Sequence, residues 1–523
     1  MVPGGDPGHT QPKYLMSLLE KQTAVLRKYH PKAQMWVAPQ GFNKEWMDEF
    51  YAILDKENPA WLTGIVFGPQ VRETLPKLRA RIAKKYPIRH YPDITHSLSA
   101  QYPVPDWDLA YPQTEAREVI NPRPLDQAQV FKVSQPLTIG FLTYSEGCND
   151  DVNKIVWSGL GWNPDADVRN ILREYSRYFI AENHAEEFTD GLFGLEQNWR
   201  GSLMSNVSVE ATLQRFQTLE RTATPQLLLN WRFQQALYRA YYDAFVQRRL
   251  IAETAAEEAA NAQLRSAKQL GALTSINEAE KILDAAIAEA SANELRARVF
   301  ELGEALYQSI RMQLSTEKYQ GKPGRGSNLD TIDMPLNNRL WLKTKFAAIR
   351  QMPDEAARLS AIGEIVNWTN PGIGGFYDDL GNSSKQPHLL NSGKFNQDPG
   401  FMETAFSGFA YKPEWRRSWF DSAETAFDTP LQMRYTNLDP TAQYKIRVVY
   451  AGTLPQLKIK LTANEKYEIH PLSEKPNPVK PVEFDVPQAA TAAGELNLTW
   501  EIEPGRGGNG RGRQVSEIWL IKK

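Results

Sequence analysis

Carboxylates reach one candidate face from three separate places in the first 151 residues. Asp6 lies in the opening Gly4-Gly5-Asp6-Pro7-Gly8-His9, and Asp93 lies in Tyr91-Pro92-Asp93-Ile94-Thr95-His96. Glu146 lies in Tyr144-Ser145-Glu146-Gly147-Cys148-Asn149-Asp150-Asp151. Cleaving a glycosidic bond needs such a set: one carboxylic acid protonates the departing oxygen, and another carboxylate acts as base or nucleophile. Glu146 and Asp93 are the candidate acid/base pair, with Asp6 binding or orienting the sugar; which carboxylate serves as base stays open. His9, Gln40, His96, Asn149 and Asp150 are candidate polar contacts to substrate. Trp36, Tyr91, Trp107, Tyr144 and Trp157 are candidate platforms for pyranose rings. No cofactor is expected, and the His and carboxylate residues are too scattered along the chain to propose a metal site.

Each of these residues also has a plainer use. Asp6 can hold a turn, Asp93 can cap one, and the pair Asp150-Asp151 can cap a helix starting near Val152. His9 and His96 suit hydrogen bonding behind a site better than direct chemistry. Cys148 beside Glu146 has no histidine motif to activate it as a nucleophile.

The elements that must position these residues alternate between strand and helix. Gln34–Pro39, Leu62–Phe67, Ile88–Tyr91 and Thr138–Tyr144 read as strands, and Met1-Val2-Pro3 reads as the tail of another. Tyr14–Tyr29 carries a helical stripe of Leu15, Leu18, Leu19, Val25 and Leu26. Asn43 is placed to cap a helix ending near Leu54. Helices are also expected over Leu75–Lys85, Asp151–Leu160 and Asp167–Phe179. Polar residues at the C-terminal ends of alternating strands are how a β/α barrel builds a catalytic face. The long stretch Ser97–Pro136 is itself a functional candidate.

From about 185 to 370 the pattern is helical, with long amphipathic runs over Leu228–Arg249 and Glu278–Leu314. The alternating charges of 250–300 fit the solvated face of a helical hairpin; a dimerising coiled coil is the sharper alternative. Beyond about 385, short alternating runs fit an antiparallel β-sandwich: Leu431–Tyr435, Tyr444–Tyr450, Leu457–Leu461, Val482–Val486, Leu496–Ile502 and Val515–Ile521. The Gly-rich runs at 321–328 and 505–512 read as loops, the second without a phosphate-binding pattern. The expected fold is therefore multidomain: a partial β/α (TIM-like) barrel over 1–182, an α-helical domain over 183–384 and a β-sandwich over 385–523.

Composition bounds the partners. Sixty basic residues against 62 acidic ones leave a formal charge of −2, without the footprint of a nucleic-acid binder. One cysteine excludes a disulfide framework. No apolar run is long enough to span a membrane. With 14 Trp and near-neutral charge the chain suits a carbohydrate partner. The opening residues lack a signal-peptide pattern; a bacterial cytosol or periplasm fits, with periplasm or secretion preferred.

Gly4-Gly5-Asp6 resembles the Gly-Gly-Asp that ends the fourth barrel strand in β-N-acetylhexosaminidase-like enzymes. The layout also resembles α-glucuronidase-like glycoside hydrolases, in which a barrel is followed by a helical domain. The segments 91–96 and 144–151 are similar to those of bacterial proteins in this group. The resemblance covers about residues 1–370. In hexosaminidases the Asp precedes a catalytic Glu; Pro7 stands there in this chain, so that acid is not carried over. The resemblance implies that the present strands are the fifth to eighth, with the first half of the barrel upstream of Met1. A fragment is the preferred explanation, ahead of a completing partner, such as a second copy, or a half-barrel that packs differently. The C-terminal region resembles galactose-binding-like and other carbohydrate-binding modules, with Trp415, Trp419, Trp500 and Trp519 divided between core and sugar platform.

Two functions follow. One is a glycoside hydrolase acting on a poly- or oligosaccharide; the other is a non-catalytic carbohydrate-binding or scaffolding protein. A third, assembly through the helices, is less favoured. Asp93 and Glu146 carboxyls about 5 to 10 Å apart in an open cleft favour hydrolysis; burial of either favours binding.

Overall fold

A computed structural model describes residues 2–3, 10–288, 293–506 and 508–523. The two candidates Asp6 and His9 lie outside the described residues.

Four short strands form a parallel sheet in chain order: β1 (Val2–Pro3), β2 (Trp36–Ala38), β3 (Gly64–Phe67) and β4 (Ile88–His90). Val37 pairs with Ile65 and Ile65 with Ile88. Helices α1 (Pro12–Tyr29), α2 (Lys44–Glu57) and α3 (Leu75–Arg81) follow the first three strands. Asn43 caps α2 as expected, its side chain accepting from the Trp46 amide at 2.9 Å. One face of the sheet, through Val37, Ile65, Phe67 and Ile88, buries against Leu15, Leu19, Phe50, Leu54 and Leu78 of these helices. The other face carries a small cluster of Trp36, Ala38 and Val66 with Tyr91 against it. Gly64 is required there: a Cβ would lie 2.4 Å from the Trp36 ring.

The expected strand Thr138–Tyr144 pairs with β4 but is irregular. It joins in parallel through single bridges, His90 to Phe141 and Asp93 to Tyr144. The Tyr144 amide donates to the Pro92 carbonyl at 2.8 Å, and the Ile94 amide to the Tyr144 carbonyl at 3.2 Å. This register places Asp93 beside Tyr144 and brings Glu146 next to it. Among the described residues the parallel sheet does not close into a barrel. The expected long loop at 97–136 contains two further helices, α4 (Ala110–Thr114) and α5 (Pro124–Ser134).

The helices α6 (Asp151–Trp162) and α7 (Val168–Phe179) lead into the helical region, dominated by a 35-residue helix, Trp231–Arg265. One continuous core runs from Ile94, Trp107 and Trp157 through Phe188, Phe216 and Tyr238 to Leu336. The strand-exit segments are thus packed into the helices rather than merely tethered to them. A second helical core joins Ala260 and Leu264 to Ile276, Leu283, Trp341 and Phe346. No helix among the described residues is long and apolar enough to cross a membrane.

The C-terminal region consists of antiparallel sheets. One has the order Tyr467–Glu474, Lys458–Ala463, Leu496–Ile502, Leu431–Tyr435; another has the order Val482–Val486, Tyr444–Val449, Glu517–Lys522, Phe376–Asp379. A third sheet contains Gly512–Val515, Asp421–Thr425 and Phe406–Phe409. Met433, Ile446, Leu461, Leu498, Trp500 and Ile518 share one core across these strands. The strand Phe376–Asp379 lies before residue 385 yet pairs with Glu517–Lys522. Trp415, Trp419, Trp500 and Trp519 are all buried, so none presents an open platform.

Several buried carboxyls make the fold sensitive to alkali. Burial, followed by the nearby Asp126, pushes Glu196 up to about 8; burial and then Glu517 push Asp379 up to about 7. The folded protein therefore holds protons that the unfolded chain has released well below neutrality, so stability falls as pH rises toward 8. We expect a loss on the order of 1–3 kcal/mol between pH 6.5 and 8.5, measured by urea unfolding. Asp379→Asn is expected to shrink that difference; an unchanged difference would contradict the assignment.

Candidate functional site

Asp93 follows β4 in the turn Pro92-Asp93-Ile94-Thr95-His96. Its Oδ1 accepts from the backbone amides of Thr95 at 3.1 Å and His96 at 3.2 Å. A short polar side chain folding back on its own backbone is the Asx arrangement such a turn favours. Its Oδ2 lies 2.8 Å from Nδ1 of His96. The capping role and a site role are therefore combined in one residue. Asp93 is 2% exposed and His96 is 3% exposed, so neither meets solvent directly.

The imidazole of His96 stands between Asp93 and two glutamates. Its Nε2 is 3.2 Å from Oε1 of Glu118 and 3.9 Å from Oε1 of Glu146. One oxygen from each glutamate and Nε2 lie within 4.8 Å of one another. Glu146 is the exposed member of the three. Its amide donates to Oγ1 of Thr95 at 3.2 Å, which ties the segment after the irregular strand to the Asp93 turn. The Tyr144 hydroxyl donates to the Glu146 carboxylate, and burial together with that contact holds the phenol above its ordinary range. Tyr144 also stacks on His96 at 5.7 Å, and Tyr91 meets Tyr144 edge-on at 5.8 Å.

Glu118 was not singled out by the sequence. It lies in the long stretch 97–136, outside any periodic pattern, and its amide donates to the Arg325 carbonyl at 3.0 Å. The Arg325 guanidinium pairs with its carboxylate. Arg325 comes from the Gly-rich run at 321–328, so that loop reaches the site from the helical region. The length of the 97–136 stretch was the one available signal for Glu118.

Other candidates have structural duties. Trp36 is buried on the sheet under the Arg89 guanidinium, 4.1 Å from its ring. Trp107 is buried against Tyr111 and Trp199, and Trp157 donates to Gln127 at 2.7 Å inside the same core. These three rings are core rather than platforms. Asn149 is buried and donates to the Val119 carbonyl at 3.1 Å. Asp150 is buried, accepts from Ser145 and pairs with Lys154 at 3.0 Å; burial raises its carboxyl above the usual range. It stands at the N-cap of α6 without a side-chain cap bond. Asp151 binds Arg232 at 2.8 Å and Tyr175 at 2.9 Å. Gln40 forms a bridge with Val71 at the end of β2, and Arg72 turns to an ion pair with Asp428. Burial raises the Cys148 thiol, the opposite of what a nucleophile needs.

The candidate site thus reduces to Asp93, His96, Glu118, Glu146, Tyr144 and Tyr91. No protein-family model matches the chain, and no curated protein matches it. Among solved structures it is similar to a family GH115 4-O-methyl-α-glucuronidase with specificity for decorated arabinogalactans. That likeness has a TM-score of 0.33 and 11% identity, covering 96% of this chain and 60% of the other. A GH138 enzyme targeting pectin rhamnogalacturonan II gives a TM-score of 0.35 and 8% identity, covering 96% of this chain and 71% of the other. The chain thus spans less than two thirds of the first structure's length. Likeness of this degree is distant and fixes neither fold nor activity.

Proposed function

We propose that the chain is a carbohydrate-active, glycoside hydrolase-like protein that works on a poly- or oligosaccharide by carboxylate acid/base chemistry. Residues 1–182 would carry the site as part of a β/α barrel. The helices after residue 183 would brace it, and the sheets that begin with Phe376–Asp379, ahead of the expected boundary at 385, would form an accessory β-sandwich. The single observation that supports this reading is the pair Glu118 and Glu146, with carboxylate oxygens within 4.8 Å of one another beside His96.

The roles follow from exposure. Glu146 faces solvent and is the group to meet the glycosidic oxygen or the sugar carbon. Glu118, neutralised by Arg325, is its partner. Asp93, expected to pair with Glu146, is instead buried against His96, which taken alone favours the binding alternative; the hydrolytic reading rests on Glu118 in its place, with Asp93 as a positioning residue. Tyr91 and Tyr144 supply the aromatic wall.

The experiment is release of reducing ends from a glycan panel that includes decorated arabinogalactan and pectin rhamnogalacturonan II. Asp93→Asn is expected to lower kcat about 10–100-fold and to shift the pH–rate profile, because the amide no longer fixes the His96 tautomer. A merely structural role would leave that profile in place. Binding without release would favour the non-catalytic carbohydrate-binding alternative.

A further inference from the structure

We propose that His96, Glu118 and Glu146 form a binding site for a divalent transition-metal cation of the zinc or manganese class, with Asp93 orienting the histidine. The scattered spacing of these residues in sequence argued against a metal site. The fold removes that objection by bringing three separate segments to one point: the turn after β4, the stretch before α5 and the exit of the irregular strand.

The chemistry of His96 carries the inference. Asp93 accepts two backbone amides on Oδ1, and its Oδ2 is an acceptor for Nδ1 of His96 at 2.8 Å. A ring that donates from Nδ1 to a carboxylate presents a lone pair at Nε2 in its neutral form. Nε2 lies 3.2 Å from Glu118 Oε1 and 3.9 Å from Glu146 Oε1; without an ion it donates to Glu118, and an ion would take the place of that proton. Three electron-rich atoms facing one another repel unless a positive species lies between them. A proton on Nε2, with Arg325 on the same Glu118 oxygen, is one such arrangement, and a metal ion in their place is the other. Ion–ligand bonds of about 2.0–2.2 Å set neighbouring ligand atoms roughly 3–3.5 Å apart, so small side-chain rotations seat an ion without moving the backbone.

The surroundings resemble the outer shell of a metal centre. A buried carboxylate holds the far nitrogen of the histidine and Tyr144 donates to Glu146, whereas Arg325 sits on the Glu118 oxygen that would bind the ion. One imidazole and two carboxylates suit zinc or manganese better than calcium, which prefers an all-oxygen set. Three protein ligands leave a position for water or a substrate oxygen. Arg325 is the competing positive charge; its side chain is 32% exposed and has room to leave.

Isothermal titration of the chelator-stripped full chain with zinc chloride or manganese chloride tests the site. One ion per chain is expected, with Kd in the micromolar range or below. Glu118→Gln and Glu146→Gln should each weaken binding at least tenfold, and Asp93→Asn about 10–100-fold. Arg325→Ala should strengthen it. Thermal melts of each variant separate lost binding from lost folding, and cobalt absorption in the visible range gives a second readout. No binding at millimolar metal, or affinity unmoved by both glutamate variants, overturns the proposal. The proposal uses the residues of the hydrolytic reading but does not rest on bond cleavage. Heat of ion binding and release of reducing ends can each fail alone. Where both hold, a seated ion engages Glu146 and added metal suppresses release.

Discussion

Glu146→Gln is expected to lower release of reducing ends from a susceptible glycan by about 10²–10⁴-fold, the range a positioned acid or base contributes. The melting temperature should hardly change, because the Glu146 side chain is 31% exposed and sits at the surface of the site. Glutamine keeps the oxygen that accepts from Tyr144 and keeps the shape, while removing proton transfer and nucleophilic attack. Activity assays on purified variant and unaltered protein, with parallel melts, check both halves. Activity retained within a factor of a few would move the chemistry to another residue; a collapsed melt would make Glu146 structural.

Arg239→Met is expected to destabilise the fold by about 3–5 kcal/mol, the largest single effect outside the site. Arg239 is fully buried on the helix Trp231–Arg265, and both oxygens of Asp243 lie 3.1 Å from its Nη2. Glu115 Oε1 is 3.8 Å away, the Ile120 carbonyl accepts from Nη1, and the Trp199 ring lies 3.8 Å beneath the guanidinium. Burial already raises Asp243 above its usual range and pushes Glu115 up to about 7. Methionine fills the volume but leaves these two carboxyls without their cation. Urea unfolding measures the loss, and adding Asp243→Asn should recover part of it. A loss below 1 kcal/mol would mean that Arg239 does not tie the strand-exit segments to the helices.

Much of the scaffold was legible because local chemistry and final fold agree. The Asn43 cap, helix α1 and the alternating strands near 431, 444, 482 and 496 appear where pattern placed them; of the expected α1 stripe only Leu15 and Leu19 are buried, and Leu18, Val25 and Leu26 are exposed. The segment Thr138–Tyr144 was located correctly, although Gly140 and the turn of the chain leave it only isolated bridges. Tyr467–Glu474 was missed: Pro471 and several exposed residues hide its alternation. The run Glu278–Leu314 proved to be two helices, Ala272–Ala288 and Asn293–Ile310, with residues 289–292 outside the description.

The site was half legible. Glu146, Asp93 and His96 lie together, because strand exits converge on one face and that convergence follows from parallel pairing. Glu118 and Arg325 were out of reach, since each comes from an aperiodic segment whose position only long-range packing decides. The aromatic residues misled for a related reason. Trp36, Trp107 and Trp157 have the composition of a sugar platform, but burial is a property of the whole fold and not of the residue type.

The most direct measurement of the central claim sets reducing-end release by the unaltered protein against its equilibrium binding of the same glycans. The account predicts release from at least one glycan, lost in both Glu118→Gln and Glu146→Gln while binding persists. Binding without release, or release that survives both substitutions, would contradict it.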